Sequence, residues 1–403
     1  MKREILLVAY AADPNVSSDG VAGWGFLKAA LASIEIVRVH LLSSEHSILS
    51  CKNALSEEEN QKVIYHLVAP SKLFSKFKTS PFGIKARFAY IDWIFQSRRY
   101  LKTKEIDFSK IQIVHHVTLA TEIYPTVLSA IPGKCTKIIG PVGSSGNFRI
   151  LFSKPRNRLT LQETLKQILR NAISKYRLKK IALQVDLFIG NNKLSTTYVQ
   201  KLGKCKSIYF SNHIVPNEIS ELPPWKNEKY DVLIVGQIVP GKRPDLAIDY
   251  LSRKEFQSLS IAILGEGQAG FKRKLENLIA RKDMISRVTF LGNLPRHYVL
   301  SLMQHAKFLI HFSGREGSSY VVGEAINMGL PILCLDGTGA ADTLSSFPQA
   351  GVSLKVENLN QLKPMRILEE LKKSRNKATN YWTYARITHF LDHIYNIDFD
   401  KEK

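Results

Sequence analysis

What the chain is short of narrows its class before any motif is read. It has 4 cysteines in 403 residues, and Cys51, Cys135, Cys205 and Cys334 lie far apart with no two in a short motif. That argues against a disulfide framework or a structural zinc site and for a reducing compartment, with each thiol a small buried residue. No run approaches the roughly 20 apolar residues that cross a bilayer. Internal repeats and low-complexity tracts are lacking as well. The Asp-x-Asp spacing that can hold a divalent cation occurs at Asp398-Phe399-Asp400, in a charged tail rather than at a strand end. The opening Met1-Lys2-Arg3-Glu4 followed by ILLVAYAA has the basic start and apolar run of a signal peptide. The run is short, however, Glu4 interrupts the basic region, and a polar, glycine-containing loop follows at Asp13–Gly25. A buried first strand is the expectation.

Acid is scarce relative to base. The chain holds 57 Lys+Arg against 35 Asp+Glu, a net charge of +22. The excess is uneven: residues 1–200 carry 29 basic and 14 acidic side chains, an excess of 15 that leaves 7 for the rest. Such a field favours polyanions: nucleic acid, anionic lipid or a phosphorylated substrate. Nucleic acid is set aside, because the basic residues form no RNA-binding or helix-turn-helix pattern and the aromatics follow helical spacing. With 44% apolar and 23% charged residues the composition is that of a globular protein, and the length suggests two domains.

Along the chain, apolar strands alternate with helical patterns, the mark of a parallel sheet covered on both faces. Strands are expected at Ile5–Ala9, Ile36–Leu42, Ile111–His116 and Lys137–Ile139, with a helix at Gly25–Ile34. Pro216–Lys229, with three prolines and no periodicity, reads as a linker. A second series follows: strands at Asp231–Val235, Ser260–Leu264, Val288–Leu291, Phe308–Phe312 and Ile332–Leu335, alternating with helices that include Tyr320–Met328. The predicted fold class is α/β, with two Rossmann-like domains facing a cleft and ligands at the carboxyl ends of the strands. The expected boundaries are 1–215, a linker at 216–229, a second domain at 230–375, and a helix and tail at 376–403 that packs back on the first domain.

The second half concentrates the chemistry. Gly236 and Gly241 bracket a turn after a strand, and Lys242 follows where its point charge can neutralise a diphosphate. A solvated lysine at a helix start is the plain alternative. Glu316 and Glu324 lie either side of a strand-to-helix turn in which Gly317, Ser318 and Ser319 open the helix and offer backbone N–H groups to phosphate oxygens. Two carboxylates beside a phosphate site need a reason, since both repel the ligand. Recognition of sugar and ribose hydroxyls supplies one.

These motifs resemble the retaining, two-domain glycosyltransferases of family 4, whose fold is called GT-B and whose bacterial members build polysaccharides and lipid-linked glycans. The resemblance rests on Glu316-x7-Glu324, on EAINMGLPI, on GEG at Gly265–Gly267, and on Gly236 followed by Lys242. It covers about 110 residues closely and most of the chain loosely. It implies a nucleotide-sugar donor, a glycan or lipid-linked acceptor, no metal or other cofactor, and retention at the anomeric carbon by front-face attack. Glu316 would contact donor-sugar hydroxyls, Glu324 the ribose and Lys242 the diphosphate, while Asn293–Pro295, with Leu294 at its centre, would line the base pocket. Gly265 belongs to the donor-binding set. Where the family has arginine after the glycine, this chain has Gln237, which carries no charge. The diphosphate would then rely more on Lys242, backbone amides, and Arg243 or Arg315.

In the first half, the loop with Gly20, Gly23-Trp24 and Asp19 resembles a bacterial subgroup of the same family, as do His115-His116-Val117-Thr118 and Gly140-Pro141-Val142-Gly143; Ser144-Ser145 depart mildly from the pattern. Gly20 would approach the donor phosphates, or serve only a tight turn. Successive strand residues point to opposite faces, so at most one of His115 and His116 faces the cleft; His116 is carried as the candidate catalytic histidine. Residues 149–181 hold ten Lys+Arg against Glu163 alone, and Leu161, Leu165, Ile168, Leu169, Ala172, Ile173 and Tyr176 recur at helical spacing. Residues 70–110 add ten more basic side chains among aromatics. Contact with an anionic membrane, at the cytoplasmic face, is expected from this pattern; a core-facing stripe is the alternative. An inactive binding partner and a sugar-nucleotide epimerase are the competing functions. No epimerase glutamate and histidine set is present, and Gln237 alone favours an inactive protein.

Overall fold

The computed structural model describes residues 2–14, 18–71, 84–103, 106–143, 146–213, 222, 225, 229–361, 363–374 and 381–397. Most of the expected linker 216–229, Ser144-Ser145, part of the basic stretch 70–110 and Asp398-x-Asp400 lie outside the described residues. The chain divides into two compact units: residues 1–143, 173–214 and 383–403, and residues 144–172 and 215–382.

The first unit is built on seven parallel strands: β1 Arg3–Ala9, β2 Ile36–Ser43, β3 Val63–Leu67, β4 Ile111–Thr118, β5 Thr136–Val142, β6 Leu187–Gly190 and β7 Lys206–Tyr209, in the order β3-β2-β1-β4-β5-β6-β7. The two-residue period of a strand sorts β1 into two cores. Ile5, Leu7 and Ala9 pack on one side with Trp24, Phe26 and Leu27, while Leu6 and Val8 pack on the other with Tyr90, Trp93 and Ile94. A strand buried on both faces reads as an unbroken apolar run, which is why the opening residues mimic a signal peptide. The first helix runs Ser18–Ala32, well ahead of its expected start at Gly25, because Gly23 lets its N-terminal part lie against the loop after β1. A Cβ on Gly23 would sit 2.0 Å from the Ala11 carbonyl oxygen.

The second unit holds six parallel strands: β8 Val232–Val235, β9 Ile261–Leu264, β10 Val288–Gly292, β11 Phe308–His311, β12 Ile332–Leu335 and β13 Gly351–Leu354, in the order β10-β9-β8-β11-β12-β13. Val232 and Ile234 pack into one face and Leu233 into the other. Each unit thus has the Rossmann-like strand order with helices on both faces.

One segment groups differently from the boundaries expected on sequence. Residues 144–172 belong to the second unit, because Arg243 and Arg315 bind them and Ile150 enters a core of that sheet. The helix Tyr384–Tyr395 belongs to the first unit, burying Ile387, Leu391, Ile394 and Tyr395 in the core that contains Phe26.

Candidate active site

In the second unit all strands run the same way, so their carboxyl ends share one edge of the sheet. The strand order reverses between β8 and β11, the point at which such sheets bind ligands. Lys242 ends a short 3-10 turn, Pro240–Lys242, that follows β8, and Glu316 follows β11. The Lys242 ammonium donates to Oε2 of Glu316. His311, the last residue of β11, places Nε2 3.3 Å from the same oxygen and 3.2 Å from Ser319 Oγ. A carboxylate only accepts, so Nε2 carries the proton. Oε1 of Glu316 has no hydrogen-bond partner among the described residues.

Burial alone would raise the Glu316 carboxyl, but the Lys242 charge and the His311 hydrogen bond outweigh it and bring it down to about 2. The group is therefore an anion at neutral pH. Because its folded value lies below its ordinary one of 4.5, the pairing stabilises the fold above about that pH and is lost as pH falls toward 2.

Ser319 is the N-cap of the helix Tyr320–Asn327, which carries Glu324. Arg296, at the start of the helix Arg296–His305, donates from Nε to Glu324 Oε1 at 2.7 Å. Burial pushes the Glu324 carboxyl up, opposed by Arg296. Neither His311 nor Arg296 is flagged by sequence spacing: His311 lies inside an apolar strand run and Arg296 follows a proline in a loop. A polar residue ending a buried strand was the available signal for His311.

The remaining candidates of this unit fall on the same edge. Gly236 and Gln237 are exposed directly after β8, and they line a small cavity with Lys242 and His311. Gly265, after β9, has φ +124, and a Cβ there would lie 2.2 Å from the Gly236 carbonyl oxygen, so only glycine lets the two loops touch. Leu294, after β10, is half-buried against the core that includes Ala325. Gly317 and Ser318 are half-buried between Glu316 and the helix cap. Sequence spacing had scattered these residues over about eighty positions; parallel strands collect them.

The two arginines considered as substitutes for the missing family arginine are already engaged. Arg243 is fully buried. It pairs with Asp245 through Nε at 3.0 Å and donates to carbonyls of Ile150, Leu151, Ser153 and Pro155 and to Ser153 Oγ. Arg315 holds Glu163 at 2.9 Å and is partly exposed. Arg243 is thus a structural clamp on residues 150–155 rather than a phosphate ligand. Among the described residues no three His, Cys, Asp or Glu side chains converge to hold a metal ion.

In the first unit Gly20 lies in the opening turn of the helix Ser18–Ala32, and its carbonyl accepts from Asp13 N at 2.9 Å. His115 and His116 point to opposite faces of β4, and both are buried. His115 donates from Nε2 to the Gly140 carbonyl at 2.8 Å and Nδ1 lies 2.8 Å from Tyr395 OH. His116 shares hydrogen bonds with Thr126 Oγ1 at 2.8 Å and Tyr90 OH at 3.4 Å. Burial lowers them to about 4 and about 3 respectively, so both are neutral and poor bases. His116, carried as catalytic on sequence grounds, is a core histidine here; its neighbours satisfy both ring nitrogens.

Residues 217–387 match the model of the glycosyl transferases group 1. Residues 217–387 are thus similar to a group 1 glycosyltransferase domain, and the fold is GT-B. Among solved structures it is similar to sucrose-phosphate synthase from Thermosynechococcus elongatus (TM-score 0.65, 12% identity, 98% of each chain). It is also similar to a glycosyltransferase from Rickettsia africae ESF-5 (TM-score 0.62, 13% identity, 100% of each chain). A third likeness is to HepE from Anabaena in complex with UDP (TM-score 0.55, 14% identity, 98% of this chain and 99% of that one). Comparison with curated protein sequences gives no match.

Proposed function

We propose that the chain is a retaining, metal-independent transferase that moves a sugar from a nucleoside-diphosphate donor to a glycan or lipid-linked acceptor. The observation that supports this best is the one-sided hold on Glu316: Oε2 is occupied by Lys242 and His311, while Oε1 is left to accept hydrogen bonds from hydroxyls. In this reading Lys242 also neutralises the diphosphate, with the turn Gly317–Ser319 beside it. Glu324 accepts from the ribose, and Leu294 borders the base. The bond from the anomeric carbon to the phosphate oxygen breaks, the acceptor oxygen attacks from the same face, and its proton passes to the departing diphosphate. Cationic side chains and dipoles meet the charge that develops. No enzyme nucleophile is required, and His116 has no part.

The test is hydrolysis of a panel of nucleotide sugars, with Mg²⁺ and with a chelator. At least one donor is expected to be turned over equally in both. Activity abolished by the chelator and restored by Mg²⁺ would refute the metal-free mechanism; no affinity for any nucleotide would refute the transferase reading.

We also propose that the protein works against an anionic membrane surface at its cytoplasmic face. The support is the helix Arg158–Ala182, which buries Leu178, Ile181 and Ala182 near its end but is inverted before them. Its polar Thr160, Thr164, Gln167 and Ser174 are buried, while Leu165 and Leu169 are 68% and 63% exposed, alongside Leu161, Ile168, Ile173 and Tyr176. Leaving such side chains in water forgoes roughly 1.5–3 kcal/mol each, and a contiguous apolar stripe of this kind marks an interaction surface. Lys166, Arg170, Lys175 and Arg177 flank it, each able to contribute about 1 kcal/mol near anionic lipid. No helix of the described residues is long and apolar enough to cross a membrane. Co-sedimentation with anionic vesicles is expected at low salt and to weaken as salt rises. Changing those four residues to Gln, or Leu165 and Leu169 to Ser, should reduce it while donor hydrolysis persists. Wild-type protein that ignores anionic vesicles at low salt would sink this proposal.

A further inference from the structure

We propose that His311 is a positioning residue for the donor sugar: it holds Oε2 of Glu316 when Lys242 is drawn to the diphosphate, so that Oε1 meets the sugar in one fixed orientation. The inference rests on the glycosyltransferase reading above. Lys242 has two anions to serve. In the structure it is paired with Glu316, yet its long flexible stem is 28% exposed and its charge is a mobile point. When a diphosphate enters, Nζ is shared or moves away. Glu316, with a side chain only 11% exposed, would then be a nearly buried carboxylate short of its countercharge, a costly state.

His311 is placed to prevent that. It ends β11, its side chain is 6% exposed, and strand pairing with β12 fixes its backbone. Its Nε2 proton points at the same oxygen that Lys242 occupies, 3.3 Å away, and lies 3.2 Å from Ser319 Oγ. Ser319 occupies the N-cap position of the helix that carries Glu324, with no capping hydrogen bond from its side chain. One imidazole therefore ties the carboxylate assigned to the sugar to the helix that bears the carboxylate assigned to the ribose. Removing it should leave nucleotide binding in place and blur recognition of the sugar.

The experiment compares full-length wild type, His311→Gln and His311→Asn. Glutamine can present an amide N–H near the position of Nε2; asparagine is too short to reach Oε2. Calorimetry measures affinity for the free nucleoside diphosphate and for the nucleotide sugar that wild type prefers, and hydrolysis of that donor gives kcat and KM. For His311→Asn the expected result is a fall in kcat of about 10–100-fold with loss of the sugar's added affinity, while nucleoside diphosphate affinity stays within about threefold. His311→Gln should recover most of both. The inference is overturned if Asn and Gln behave alike, or if the loss falls equally on the free nucleotide. Should His311→Asn fail to fold, His311→Gln alone decides: near-wild-type values support the role, and loss of the sugar's contribution in the folded protein overturns it. Wild type that binds no nucleotide removes the transferase reading itself, a distinct outcome.

Discussion

Replacing Glu316 by Gln is expected to cut donor turnover by about 10²–10³-fold while the free nucleoside diphosphate binds within about threefold of wild type. The amide keeps the shape but loses the charge that draws sugar hydroxyls to Oε1, and that sugar is absent from the free nucleotide. It also removes the anion that Lys242 now pairs with, which leaves the ammonium available to phosphate. Glu324→Gln should fail in the other direction, weakening the nucleotide about tenfold, because its assigned partner is the ribose and a hydrogen bond to a charged group is worth about 1.5–3 kcal/mol. Arg296, which would lose its ion pair, is 42% exposed and can turn to water, so the fold should survive. Gln237→Arg is the gain-of-charge control and should tighten diphosphate binding. Equal nucleotide affinities in the Glu316 and Glu324 variants would refute the division of roles.

Arg243→Met is expected to cost the fold about 3–5 kcal/mol, far more than a surface arginine. Its guanidinium is fully buried, pairs with Asp245, and satisfies carbonyls of Ile150 and Leu151, which are buried, and of Ser153 and Pro155, which are half-buried. Truncation leaves Asp245 as a buried charge without its partner; burial already pushes that carboxyl up against the opposing pull of Arg243. The double change Arg243→Met with Asp245→Leu should recover part of the loss, since the orphaned charge carries much of the cost. Urea unfolding followed by circular dichroism measures both. A loss under about 1 kcal/mol for Arg243→Met would show that the clamp does not hold residues 150–155 in solution.

How much was legible beforehand depends on whether a feature is local. The strand-end glycines, Lys242, Glu316 and Glu324 could be picked out because their type and order along the chain are themselves the signal. Arg243 misled for the opposite reason. Beside Lys242 it reads as a second phosphate cation, and nothing local says that its backbone adopts φ 51 or that its side chain turns inward to Leu151. The basic helix was legible in composition and period, but a helical stripe looks the same whether it faces a core or water.

The sequence by itself determined the two parallel α/β units and the edge on which the second would gather its polar residues. Periodicity and strand-end glycines are properties of neighbouring residues, and a parallel sheet must bring its strand ends together. Tertiary structure alone decided that His115 and His116 are both core groups, because each face of β4 is covered by a separate cluster. It decided that residues 144–172 side with the second unit, through an arginine no pattern marks. It also joined His311 to Glu316 and Arg296 to Glu324, contacts made across loops whose geometry depends on packing rather than on spacing. And it turned Leu161, Leu165 and Leu169 of the helix Arg158–Ala182 outward, since the buried side of that stretch is filled by Thr160, Thr164 and Gln167.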